Sequence, residues 1–91
     1  MKISYTSPTT EKRTSITLSN AIIRLWAISR TYDTESDDFM SEQPFRAALQ
    51  QYIIEQASNY QPDQTTFETL VSYVENAIVV DAESLIRSLL K

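Results

Sequence analysis

The segment Thr14-Ser15-Ile16-Thr17-Leu18-Ser19 is the one stretch whose β-branched residues and strict two-residue alternation mark a strand. Ile16 and Leu18 fall on one face, and Ser15 and Thr17 on the other. No second segment of matching strength follows, because the apolar residues downstream recur every three or four positions. A lone strand cannot satisfy its own backbone donors and acceptors, and an isolated hairpin would be marginal. The expected mate is therefore the same strand of a second copy, giving an antiparallel ribbon across a homodimer. Residues 1–11, with Pro8 among serines and threonines, read as a flexible arm. Within it, Ile3 and Tyr5 alternate with polar neighbours and could form a short edge strand.

The remainder reads as helices, which makes the fold class mainly α. Ser19 is a good N-cap for a helix over Asn20 to Tyr32, with Ile22, Leu25 and Trp26 on one face and Ala21, Ile23, Ile28 and Tyr32 widening it. So wide an apolar face is expected to be buried from more than one side. Asp33, Glu35, Asp37 and Asp38 read as a solvated linker; without the glycine and closing glutamate of a calcium loop they predict no metal site. Ser41, with Pro44 in the first turn, is expected to open a second helix. Its stripe runs from Phe45 through Leu49, Tyr52 and Ile53 to Tyr60. After a break at 60–63, Thr65-Thr66-Phe67-Glu68 has capping-box form and predicts a third helix bearing Leu70, Val71, Val74 and Ile78. Asp81 then reads as a new cap for a short helix with Leu85, Ile86, Leu89 and Leu90.

Composition narrows the chemistry. The 91 residues include no Cys, no His and no Gly. Thiolate and imidazole metal sites, a Ser-His-Asp triad and phosphate-cradling glycine loops cannot be built from them. No enzyme and no cofactor is expected. A chain this short buries only about 60–65% of its extended surface, which makes a partner subunit plausible. No segment has the ~20 consecutive apolar residues of a bilayer span, and the start of the chain lacks a secretory signal pattern, so no membrane partner is expected and a cytoplasmic location is. Net charge is −4, yet residues 1–30 carry five cations and one acid, whereas residues 31–91 carry three cations and eleven acids. A basic third on an acidic body can present one positive face and repel elsewhere.

Lys12-Arg13-Thr14-Ser15-Ile16-Thr17-Leu18-Ser19, a helix, and then Phe45-Arg46-Ala47-Ala48-Leu49-Gln50-Gln51-Tyr52-Ile53 together resemble the ribbon-helix-helix (CopG/Arc/MetJ-like) DNA-binding family over residues 12–60. The resemblance implies a homodimeric transcriptional regulator, a repressor, of plasmid or phage type. It implies binding to a double-stranded DNA operator through a two-stranded ribbon in the major groove. Arg13, Ser15 and Thr17 would read bases. Ser41 to Gln43, at the start of the second helix, would hold phosphate, with Lys12 and Lys2 adding contacts. Ile16, Leu18, Ile22, Trp26, Phe45, Leu49 and Tyr52 would form the dimer core. Arg13 could equally be a solvated charge flanking a strand, and Ser15 and Thr17 ordinary exposed residues.

Residues 61–91 lie outside the resemblance and read as a C-terminal helical extension. They could complete the core over the first helix, form a dimer- or tetramer-building layer, or bind a partner protein, as the tails of antitoxins with this N-terminal fold do. The alternative function is thus an antitoxin or a phage or plasmid inhibitor, a protein-interaction module.

Overall fold

The computed structural model describes every residue except 31, 33, 36, 37, 65, 68 and 91. Among the described residues, two strands, β1 (Lys2–Thr6) and β2 (Arg13–Thr17), precede α1 (Asn20–Ser29), α2 (Gln43–Asn59) and α3 (Leu70–Leu89), with short 3₁₀ turns at Phe39–Ser41 and Pro62–Gln64. No helix among them is long and apolar enough to cross a membrane.

The lone-strand expectation is overturned. β2 finds its mate in the same chain, pairing antiparallel with β1 in the register Lys2↔Thr17, Ser4↔Ser15, Thr6↔Arg13. Residues 1–11 are accordingly not a free arm: Ile3 and Tyr5 are buried, and the Met1 ammonium and carbonyl both bond to the Leu18 backbone, at 2.6 and 3.0 Å. Two apolar side chains make a weak strand signal. Here they suffice because Ile3, Tyr5 and Ile16 all face the helices and close over one hydrophobic cluster.

The connection at 7–12 is closed by Ser7 N–H donating to the Lys12 carbonyl and Glu11 N–H donating to the Ser7 carbonyl, each at 2.9 Å. Glu11 takes φ 60°, a left-handed conformation that costs a residue with a Cβ about 1–2 kcal/mol. Glycine adopts it freely but loses about 0.5–1 kcal/mol of extra backbone entropy on folding. Glu11→Gly is therefore expected to stabilise the chain by about 0.5–1 kcal/mol, read as a higher urea midpoint at unchanged slope.

Ser19 caps α1 as expected, its hydroxyl accepting from Ile22 N–H at 3.2 Å. The helix stops at Ser29, short of Tyr32, where the Ser29 hydroxyl donates to the Trp26 carbonyl at 2.7 Å and the Tyr32 N–H turns back to the Ala27 carbonyl at 2.9 Å. Ser41 does not cap α2. It sits in the preceding 3₁₀ turn, donating its hydroxyl to the Asp38 carbonyl at 2.8 Å, and Glu42 holds the cap position with no side-chain bond. The predicted capping box falls partly on residues 65 and 68, outside the described residues. α3 is capped instead by Thr69, whose Oγ1 accepts from Ser72 N–H at 3.2 Å. The expected break at Asp81 is absent; α3 runs unbroken through it, and the two predicted C-terminal helices are one.

α3 packs along α1, with Val74, Ile78 and Ala82 buried, and Val74 and Ile78 belong to the same cluster as the hairpin and α2. The extension therefore completes the core. Of the seven residues expected in a dimer core, Ile16, Leu18, Trp26, Phe45, Leu49 and Tyr52 are buried within a single chain and Ile22 is half-buried. They need no second copy to leave water. Tyr5 and Tyr52 are so enclosed that burial pushes both phenols above their ordinary pKa, for Tyr52 with help from the Asp81 charge.

Candidate nucleic-acid interface

The hairpin has two unlike faces. Alternation sends Ile3, Tyr5 and Ile16 inward, and Lys2, Ser4 and Thr6 of β1 together with Arg13, Ser15 and Thr17 of β2 outward, all six exposed. This outer face carries two cations, four hydroxyls and no acid. The three expected base readers lie on it side by side, and β1 doubles it with residues of the same kind. Sequence reasoning missed Ser4 and Thr6; the signal was the alternation around Ile3 and Tyr5.

The two edges of the hairpin also differ. Met1 bonds to Leu18 and Ser7 to Lys12. Antiparallel alternation then turns the N–H and C=O groups of Ser4 and of Arg13, Ser15 and Thr17 away from the partner strand. On the β1 side, Gln50 of α2 donates its Nε2–H to the Ser4 carbonyl at 2.7 Å, covering that edge. On the β2 side no strand follows among the described residues. That edge is open.

Beside β1 runs a groove of ≈ 240 Å³ in which Lys2, Ser4 and Arg13 of the hairpin meet Gln43, Arg46 and Gln50 of α2. The ion pair formed among the described residues is Arg30–Asp81 at 3.8 Å, half-exposed at both ends. Lys2, Arg13 and Arg46 thus line one groove, and among the described residues none of them has a carboxylate within ion-pair distance. Of the predicted phosphate contacts, Lys2 and Gln43 are brought to this groove. Ser41 is held away by its bond to Asp38, and Lys12 is exposed in the hairpin turn. Arg46, read in the sequence only as part of a motif, is the cation that the fold adds.

The fold defines a mostly helical protein carrying an N-terminal two-stranded antiparallel sheet. In comparisons with known proteins, no family model, no curated protein and no solved structure matches the chain.

Proposed function

We propose that the protein is a sequence-specific DNA-binding regulator, a repressor, that reads the major groove with residues on the outer face of its hairpin. The reading rests on one observation above all: six outward side chains, Lys2, Ser4, Thr6, Arg13, Ser15 and Thr17, form an acid-free face on an otherwise acidic chain. Guanidinium and hydroxyl groups are the donors and acceptors that base edges pair with. The cations in the adjoining groove supply the phosphate attraction on which affinity depends.

The open edge of β2 supports a homodimer. Two copies related by a two-fold axis at Ser15 would pair Arg13, Ser15 and Thr17 of one with Thr17, Ser15 and Arg13 of the other. The sheet then has four strands spanning about 14 Å at ~4.8 Å spacing, slightly more than the ~12 Å groove. The central β2 pair enters it, and the flanking β1 strands bring Lys2 to the phosphates at its lips. Such a dimer reads a pseudo-palindrome.

The test is selection of bound duplexes from a random pool, with the mass of the complex measured on the duplex recovered. Two chains per duplex and a symmetric site are expected. Arg13→Ala should weaken binding by about 1–3 kcal/mol and relax one base position in each half-site. Unchanged affinity and preference would remove the hairpin from the interface.

A second reading, a partner-binding module of antitoxin or phage or plasmid inhibitor type, draws on the end of α3, where Ile86, Leu89 and Leu90 are exposed. It expects no duplex to be selected at all.

A further inference from the structure

α3 is longer than the helix it packs on. Its packing against α1 ends where Arg30, the residue that follows α1, pairs with Asp81 at 3.8 Å, and Ala82 is the last buried residue of α3. At 1.5 Å per residue, the turns from Glu83 to Leu89 carry the helix about 10 Å further. The apolar stripe does not stop with α1. Ala82, Ile86, Leu89 and Leu90 are spaced i, i+4, i+7 and i+8, one side of a helix, yet the last three are 52%, 75% and 81% exposed. Helical turns with no tertiary packing are marginal by themselves, so this end of α3 is built to be covered. Glu83 and Arg87 lie one turn apart along the edge of the stripe, and neither forms an ion pair among the described residues.

We infer that this projecting end of α3 docks antiparallel on the same segment of a second copy of the chain. The exposed apolar side chains ask for a cover, and the charges select which one. The chain has a net charge of −4, so two copies repel unless they meet at a locally neutral patch. Residues 82–90 are such a patch, with one acid, Glu83, and one base, Arg87. A two-fold axis near Leu85 sets Glu83 of each copy opposite Arg87 of the other, so two ion pairs flank the joined stripes. Flanking charges of this kind set orientation in paired helices. A parallel pair would set Glu83 against Glu83 and Arg87 against Arg87, and is disfavoured. The patch is small, so the pairing belongs to the weak class of associations, and unfolding measured on dilute protein reads the single chain. The inference stands apart from the DNA reading, since it uses no residue of the hairpin or its groove.

The full chain, free of DNA, is followed by sedimentation equilibrium from micromolar to millimolar concentration. A monomer–dimer equilibrium is expected. Leu89→Glu, at an exposed position, should weaken it about tenfold or more and leave the circular dichroism of the helices unchanged. Glu83→Arg and Arg87→Glu each turn two attractions of the pair into two repulsions, and each should weaken it about five- to tenfold. The double variant restores both attractions in reverse and should return to within about twofold of the unaltered chain. Ser15→Pro removes an N–H that faces away from β1, which blocks pairing along the β2 edge, and should leave this association intact. A monomer at every concentration overturns the inference. So does a dimer lost in Ser15→Pro but kept in Leu89→Glu, or a loss in the single charge variants that the double variant fails to restore.

Discussion

Truncating Ile78 to alanine is expected to destabilise the folded chain by about 2–5 kcal/mol. Ile78 sits at the middle of α3, fully buried, in the same cluster as Leu18, Ile23, Leu49 and Ile53. Its removal leaves a cavity that neighbours on several elements would have to move to fill. Small domains are stable by only about 5–15 kcal/mol, so the loss is a large fraction of the whole. Urea unfolding followed by Trp26 emission and by far-ultraviolet circular dichroism should show one coincident transition displaced to lower midpoint. Leu89→Ala, at a position 75% exposed, should stay within about 0.5 kcal/mol. If Ile78→Ala instead melted α3 alone and left the Trp26 transition where it was, residues 61–91 would be an appendage.

The second large effect concerns charge. Each phosphate neutralised by a cation adds about 0.9 to the slope of log affinity against log salt. Replacing Lys2 and Arg46 by glutamine should lower that slope by about 2 and weaken all duplexes alike. Adding Arg13→Ala should lower it by up to about 1 more and also blur sequence preference. Arg87→Gln, on α3 and outside the groove, should leave both quantities unchanged. A flat salt response in the unaltered protein would argue for the partner-binding reading.

Two different physical situations separate what could be read in advance from what could not. The cap at Ser19, the stripe Phe45, Leu49, Tyr52 and Ile53, and the alternation of Ile16 against Ser15 and Thr17 are local. Each depends on a repeat of two or 3.6 residues or on one side chain reaching a nearby N–H, and all stand in the structure. The structure departs from the sequence pattern where local signals compete. Asp81 is a good cap by composition, but the apolar stripe continuing through Ala82 keeps the helix intact against α1. Ser41 is a good cap too, but the preceding turn claims its hydroxyl.

The outer face of the candidate site shows the same division. Arg13, Ser15 and Thr17 were legible because they share a strand. Lys2, Ser4 and Thr6 join them only through pairing across a six-residue turn, and Arg46 only through the docking of α2 against β1.

From the sequence alone came the helical character of the chain, the polarity of one strand face, and a basic first third on an acidic remainder. Those properties belong to neighbours along the backbone. The tertiary structure decided that β2 pairs within its own chain, that the last third belongs to the core, and that three cations share one groove. Each depends on residues far apart in sequence meeting, and burial of Ile3 and Tyr5 against the helices is what turns a weak strand signal into a partner for β2.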